Sequence, residues 1–260
     1  MKSLALLGIL AIAIFHPIMA QDYDVNLEEA VTDRGERSFG LHWPNFIIAG
    51  RDDLKLQFSF KYKILKRQNL FFGYTQLMFW DVYKNSKPFR DINFYPEIFY
   101  RFPIKGTHSG HIDVGYIHTS NGKGGIESRS LDRPYLRWSS YLYKGDFKIL
   151  SSLRLYYIMN VDDYNRDILD YLGRWDLTVY FLNLLATPNG ESFDFGVSAF
   201  AGKKTYDFDK GGVTLSLRYS FQPRDFNPDI LLQYYNGRVE NLIDFKTKVE
   251  RIRLGLMFYF

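Results

Sequence analysis

The stretch that decides the fold runs from Leu54 to Lys63 and reads LKLQFSFKYK. Apolar and polar residues alternate along it, so an extended chain places every apolar side chain on one face. The same period of two returns in residues 213–221, VTLSLRYSF, and in residues 252–260, IRLGLMFYF. This pattern predicts strands with one apolar and one polar face.

Nine further segments have the composition and length of strands, bounded by turn-forming residues. They are Phe39–Ile48, Leu70–Trp80, Asn93–Arg101, Gly110–His118, Tyr135–Tyr143, Phe147–Ile158, Trp175–Asn183, Phe193–Gly202 and Asp229–Tyr235. Helical periodicity is weak, and only Asp163–Gly173 has room for a short helical turn. The sequence therefore predicts about twelve strands of roughly 8–12 residues, the length that a tilted strand needs to cross a bilayer.

The composition favours a membrane barrel over a soluble one. The 260 residues include 20 Tyr and 23 Phe, yet the mean hydropathy is only -0.24. Strands that face lipid on one side and a polar interior on the other produce this combination. Tryptophans lie near predicted strand ends at Trp43, Trp80, Trp138 and Trp175, and Phe260 ends the chain, as expected of outward-facing interfacial aromatics. We therefore predict an all-β transmembrane antiparallel β-barrel. A soluble β-sandwich or calycin-like barrel remains the alternative.

Three classes of protein are disfavoured by the composition. The chain has no cysteine, which excludes disulfides and thiolate metal sites. The net charge of +4 is spread along the chain without a basic block, so we expect no nucleic-acid partner. Beyond the first residues no run of 18 apolar residues occurs, so no transmembrane helix is expected.

The chain divides into three predicted regions. Residues 1–20 read as a secretory signal peptide, because Lys2 precedes an apolar run of about 12 residues that is too short to span a bilayer. Residues 21–38 are polar and acidic and are predicted to form a flexible arm. Residues 39–260 form the predicted barrel.

Candidate catalytic residues occur between two predicted strands. His118 and Ser120 are two residues apart and so share a face, and a short hairpin would return Asp132 beside them. An imidazole, a hydroxyl and a carboxylate are the components of a serine hydrolase triad. Their strand neighbours Val114 and Leu136 are apolar, so the triad would face lipid. The His-x-Ser pattern alone is weak, and two polar residues at a strand end would also explain it.

A longer pattern strengthens the hypothesis. Residues 118–123 read HTSNGK and residues 128–137 read SRSLDRPYLR, and together they closely resemble the active-site segment of the outer-membrane phospholipase A family. Residues 86–97, SKPFRDINFYPE, are similar to another segment of that family, and the likeness extends over roughly 39–260. The resemblance implies a twelve-stranded barrel in the outer membrane of a Gram-negative bacterium. It also implies calcium-dependent hydrolysis of acyl esters in glycerophospholipids and lysophospholipids.

The resemblance assigns catalytic roles residue by residue. Ser120 would be the nucleophile, His118 the general base and Asp132 the residue that orients the imidazole. The family representative has Asn at the last position, and Asp here would complete a conventional Ser-His-acid triad. Gly122 would donate its backbone N–H to the oxyanion hole.

The resemblance also implies a Ca²⁺ site and a homodimer. The ligands would be the Lys123 carbonyl and the Ser128 hydroxyl, with Ser86 from a second subunit. A second calcium site would need Asp163 and a second acidic residue, but Gly125 occupies that other position. Gln76 corresponds to a lipid-facing glutamine buried between subunits in the family.

The predicted interior is polar and closed. A set of charged residues falls mainly on inward-facing positions and could form a hydrogen-bonded plug. The set comprises Glu97, Arg101, Asp113, Arg137, Arg154 and Arg218. Two other functions stay open: a non-catalytic porin or adhesin, and a lipid A deacylase, whose barrels resemble an eight-stranded design.

Overall fold

A computed structural model describes residues 39–104, 109–188, 190–221 and 228–258. The predicted signal peptide and arm, residues 1–38, and the terminal Phe260 lie outside the described residues. No helix in the described ranges is long and apolar enough to cross a bilayer.

The described chain consists of strands joined by loops, with two short 3-10 helices. The strands are β1 Phe39–Gly40, β2 Asn45–Gly50, β3 Leu54–Lys63, β4 Leu70–Trp80, β5 Phe89–Ile104, β6 Ser109–Ser120, β7 Ser130–Lys144, β8 Phe147–Tyr156, β9 Trp175–Ala186, β10 Ser192–Phe200, β11 Gly212–Ser220, β12 Asp229–Gly237 and β13 Val249–Phe258. The 3-10 helices are Gly125–Glu127 and Asp163–Asp170. The short helical turn predicted after Asp163 is therefore present.

Strands β2 to β13 form a closed antiparallel barrel, which confirms the predicted fold class and the twelve strands. Each strand pairs with its neighbour in sequence, and β13 returns to β2 with Arg253 opposite Gly50 and Phe258 opposite Asn45. Closure leaves the barrel strands without an exposed edge, as a bilayer requires. The predicted strand Phe39–Ile48 is split, because residues 41–44 leave the sheet between β1 and β2.

Side chains alternate between lipid and lumen as the period of two predicts. In β6, His111 and Asp113 are buried while Val114 and Tyr116 are exposed on the outer face. The exposed aromatics and aliphatics of neighbouring strands continue this outer surface, with Leu136 as an example on β7. A polar lumen and an apolar exterior are what a barrel in lipid needs.

Ion pairs occupy part of the lumen, as predicted. Asp113, which has no exposed side-chain surface, accepts hydrogen bonds from Arg101 at 2.9 and 3.0 Å and from Arg137 at 2.9 and 2.6 Å. Arg218 and Arg253 are centres of similar clusters. In these clusters carboxylates and guanidiniums compensate one another's charge inside the protein, so they do not depend on water from a channel.

The segment 41–44 adds to this plug, and it corrects the prediction for Trp43. Its indole lies inside the barrel, with the guanidinium carbons of Arg137 and Arg154 5.5 and 5.6 Å from the ring centroid. His42 lies 2.5 Å from Glu97 in the lumen. Once the chain leaves the sheet here, these side chains fill the lumen instead of facing lipid.

The longer loops meet at one end of the barrel, which we call the loop rim: residues 81–88, 121–129, 157–174, 201–211 and 238–248. Apolar side chains close its mouth, namely Leu131, Ile168, Leu172, Leu242 and Phe245. Between this cap and Trp43 remains a cavity of about 370 Å³. Outer-membrane barrels generally carry their longer loops on the extracellular side, so we expect this rim to face outward.

Candidate active site

His118 and Asp132 are brought together by strand register. They are directly opposite each other in the β6–β7 pair, and Nδ1 of His118 lies 2.8 Å from Oδ1 of Asp132. The His118 side chain is 41% exposed, so the pair lies on the outer face of the barrel, at its loop rim. A carboxylate accepts only, so Nδ1 carries the proton and Nε2 is left basic.

Ser120 lies two residues further along β6, on the same outer face and opposite Ser130. Among the described residues, no hydrogen bond joins Ser120 to His118. Catalytic contacts of this kind often tighten only when substrate is bound. The structure therefore brings the three predicted residues to one patch but pairs only two of them directly.

The Asp132 carboxylate is held from several sides. Its backbone exchanges two 2.9 Å hydrogen bonds with Met159, which forms an isolated bridge beyond the end of β8. The next residue, Asn160, donates from Nδ2 to Oδ2 of Asp132 at 2.8 Å. The hydroxyl of Tyr116 also lies beside this carboxylate. The imidazole thus meets a carboxylate with little freedom to turn.

The loop after Ser120 is organised by Asn121. Its buried side-chain oxygen accepts from the backbone N–H of Lys123 at 3.3 Å and of Arg129 at 3.0 Å. Its amide nitrogen donates to the carbonyl of Glu127 at 3.0 Å. One side chain therefore closes the whole 121–129 loop. Gly122 follows it with φ +65°, a conformation that favours glycine.

The predicted calcium ligands lie in and beside this loop. The Ser128 hydroxyl donates to Oδ2 of Asp162 at 2.6 Å, and the Ser128 carbonyl accepts from Asn165 at 2.5 Å. Hydrogen bonds from Ser128 and from the backbone N–H of Tyr164 hold the pKa of Asp162 below its ordinary value. A hydroxyl and an ionised carboxylate are thus side by side.

Two other predicted metal ligands, Asp163 and Ser86, are both exposed. Asp163 is exposed and paired with Arg166 at 2.6 Å, so Asp162 is the carboxylate that meets Ser128. Ser86 is exposed in the rim loop 81–88. Within the described ranges, no group of three or more His, Asp or Glu residues could hold a metal.

Gln76 faces outward from β4. Its neighbours on the opposite parity, Thr75 and Phe79, are buried inside the barrel, whereas Phe72 is 37% exposed on the Gln76 side. The hydroxyl of Tyr74 donates to Oε1 of Gln76 at 2.8 Å. The oxygen of the Gln76 amide is thus engaged by Tyr74, which leaves its N–H groups available to a donor–acceptor contact on the outer, apolar face of the barrel.

Sequence reasoning gave no role to Asn121, Asn160 or Asp91. Asp91 is buried and accepts from the backbone N–H of Ile243 at 2.8 Å and from Asn121 at 3.4 Å, so it ties the site loop to the mouth cap. Their residue types could have indicated a structural role, since Asn and Asp at turns commonly bond nearby backbone groups. Which backbone groups they reach is a matter of tertiary structure.

Comparison with known sequences gives a consistent picture. A family model described as phospholipase A1 matches residues 44–258. A putative phospholipase A1 of Neisseria meningitidis serogroup B is 29% identical over 227 residues, covering 80% of this chain and 55% of that protein. Phospholipase A1 of Salmonella typhi is 27% identical over 222 residues, covering 80% of this chain and 70% of that protein. The chain thus spans about half the length of the Neisseria relative.

Solved structures share the fold. Outer membrane phospholipase A from Escherichia coli superposes with a TM-score of 0.67 at 24% identity, covering 83% of this chain and 92% of that one. The Salmonella typhi outer membrane phospholipase, a dimer with bound calcium, gives a TM-score of 0.67 at 23% identity, covering 84% of this chain and 91% of that one. Both likenesses support the barrel architecture.

Proposed function

The chain belongs to the phospholipase A1 family, and from that premise we propose that it hydrolyses acyl esters of glycerophospholipids and lysophospholipids. Its closed barrel and apolar outer wall are those of an outer-membrane protein. One observation carries the proposal. The His118–Asp132 hydrogen bond of 2.8 Å lies on the lipid-facing wall, where a phospholipid ester can reach it.

In the proposed acylation, Nε2 of His118 removes the hydroxyl proton of Ser120 while Oγ forms a bond to the ester carbonyl carbon. Asp132 accepts the Nδ1–H bond throughout and stabilises the imidazolium. The imidazolium then gives its proton to the departing alcohol, which is a lysophospholipid when the substrate has two acyl chains and a glycerophosphodiester when the substrate is a lysophospholipid. Water, activated by the same imidazole, cleaves the acyl-serine to release a fatty acid and restore Ser120.

The negative charge on the carbonyl oxygen needs a donor, and the backbone N–H of Gly122 is our candidate. Its left-handed conformation, two residues after the nucleophile, separates its N–H from the β6 hydrogen-bond ladder. Donors held in place before the reaction are among the largest contributions to catalysis. Asn121 keeps the following residues fixed by binding the N–H groups of Lys123 and Arg129.

The residues around Ser128 fit a calcium ion. Ca²⁺ prefers oxygen donors that include a carboxylate. The Ser128 hydroxyl and the carboxylate of Asp162 meet at 2.6 Å, and the depressed pKa of Asp162 keeps it ionised. We propose that Lys123, through its carbonyl, and Ser128 bind calcium, with Ser86 of a second subunit. Asp163 belongs to the separate second site that the resemblance implies, and it is a weak candidate there because it pairs with Arg166. Bound calcium would supply positive charge to polarise the ester carbonyl.

We further propose that two copies associate through the β3–β4 wall. Gln76 lies directly opposite Phe58, which is 44% exposed, in a field of outward aromatic rings. An amide left among apolar groups in a bilayer is costly unless it finds a partner. The same glutamine in a second barrel would provide one, and the two walls would enclose the acyl chains of the substrate.

The alternatives are less well supported. A porin needs an open lumen, whereas this one holds buried ion pairs such as Arg137–Asp113. A lipid A deacylase of eight-stranded design does not match twelve strands.

The direct test is hydrolysis of phospholipid in mixed micelles by the purified protein, with calcium and then with a chelator. Wild type should release fatty acid with calcium, and the chelator should suppress this. Ser120→Ala should abolish release, while Ser130→Ala, its cross-strand neighbour, should retain it. Unchanged hydrolysis by a folded Ser120→Ala barrel eliminates the mechanism.

A further inference from the structure

Building on the proposed function, we infer that Asn160 is a positioning residue for Asp132. The two carboxylate oxygens of Asp132 have different partners: Oδ1 faces Nδ1 of His118 at 2.8 Å, and Oδ2 accepts from Nδ2 of Asn160 at 2.8 Å. A bond at each oxygen fixes the rotation of the carboxylate plane. Asn160 therefore determines how the other oxygen is presented to the imidazole.

The backbone is built to aim this amide. Met159 is locked to Asp132 by two reciprocal 2.9 Å hydrogen bonds, and Asn160 comes directly after it with φ +51°. Glycine would adopt this conformation with less strain, and asparagine is the next most tolerant type. A turn that needed only the backbone would be served best by glycine. The presence of an amide that contacts Asp132 indicates a role for the side chain itself.

Asn160 also supplies a neutral hydrogen-bond donor to Asp132 from a side that β6 does not reach. The titratable side chains that face the Asp132 carboxylate are His118 and Tyr116, and both lie on β6. Asn160 approaches from the other side, from the loop after β8. It is neutral, so it restrains the carboxylate without competing with the imidazolium for its charge. Removing it leaves the Asp132 carboxylate in contact with the β6 side chains alone, although the Asp132 backbone stays bonded to Met159.

Asn160→Gly separates the two roles, because it keeps the left-handed backbone and removes the amide. We expect kcat/KM on mixed micelles to fall about tenfold, the effect of one lost hydrogen bond to a charged group. Labelling of Ser120 by a long-chain sulfonyl fluoride should slow by a similar factor, with unchanged thermal unfolding. Asn183→Gly is the matched control: Asn183 also has a left-handed φ of +55° and donates its amide, to Asp146 at 2.8 Å, but lies in β9. It should keep wild-type rates.

A charge swap tests the contact itself. Asn160→Asp places two carboxylates together and should lower both rates at least tenfold. When it is combined with Asp132→Asn, which installs the residue of the family representative, the carboxylate introduced at position 160 could accept from the new amide. The oxygen of that amide would still face His118. The double variant should therefore exceed Asn160→Asp at least tenfold.

Two results would overturn the role of Asn160 alone: an active wild type with an unaffected Asn160→Gly variant, or a double variant no faster than Asn160→Asp. A wild-type protein that neither hydrolyses phospholipid nor is labelled at Ser120 would overturn the proposed function, and this inference with it.

Discussion

Gly122→Ala tests whether the site depends on the conformation after Ser120. Gly122 has φ +65°, and an alanine Cβ there would lie 3.0 Å from Cε2 of Phe94, with two further ring atoms at 3.7 and 3.9 Å. The left-handed conformation costs an L-residue about 1–2 kcal/mol. The ring contact adds a shift of a few tenths of an ångström, which either moves Phe94 or moves the backbone N–H at residue 122.

Loss of one oxyanion donor typically costs about 10²–10³ in rate, and a displaced donor costs less. We therefore expect Gly122→Ala to lower kcat by about 10–100-fold, with a smaller change in KM. Two neighbouring glycines separate the causes. Gly125 has φ +60° but open space around its Cβ direction, and Gly124 has φ -111° and open space.

The assay is fatty-acid release from mixed micelles with saturating calcium, together with thermal unfolding of each variant. Gly124→Ala should match wild type in both measurements. Gly125→Ala should show only the effect of a strained left-handed alanine on thermal unfolding, with no further loss of activity. If Gly122→Ala were as active as Gly124→Ala, neither the strain nor the oxyanion role would hold. If it lost activity only because the barrel unfolded, the thermal measurement would reveal this.

Two further perturbations test the packing that supports the site. Asp113→Asn removes the carboxylate that the buried guanidiniums of Arg101 and Arg137 share, and it should destabilise the barrel by about 3–5 kcal/mol. Asp209→Asn, at a 96% exposed side chain, is the control and should be neutral in heat-modifiability gels. Equal stability of the two variants would contradict the buried network. Nε of Arg90 donates to Asp244 at 2.9 Å, a pair that we call the clamp. This bond lowers the pKa of Asp244 below its ordinary value, so the clamp stabilises the mouth cap above that value and is lost as pH falls through the lowered pKa. The protection of amides in residues 241–245, corrected for the intrinsic exchange rate at each pH, should therefore fall in acid. Asp244→Asn should lower this protection at neutral pH, and protection that is independent of both changes would refute the clamp.

Most of the barrel could be predicted from the period of two, because lipid and lumen impose opposite chemistry on alternate residues. Leu70–Trp80 was predicted with its observed bounds. The error at Trp43 has a physical cause, since the side chain is aromatic near a predicted strand end, as girdle residues are. Only the tertiary contacts with Arg137 and Arg154 distinguish a lumenal indole from an interfacial one.

The candidate site was predictable where it depends on strand geometry and less so where it depends on loops. Parity alone places His118 and Asp132 on the outer face, and the hairpin brings them together. The carboxylate beside Ser128, that of Asp162, was not predicted, because which side chain reaches Ser128 is set by how the 157–174 loop turns. No local pattern distinguishes Asp162 from Asp163, since both begin the same 3-10 helix.

The pairing of β6 with β7 carries a consequence for how the molecule matures. His118 meets Asp132 only because these two residues are direct ladder partners. A one-residue slip of β7 during assembly would send the carboxylate into the lumen and Leu131 out to lipid. Such a misaligned barrel could still be membrane-embedded, yet catalytically silent. Enzyme turnover would thus report on the correct register of this hairpin. Newly inserted molecules would become active only when their strands reach the final alignment.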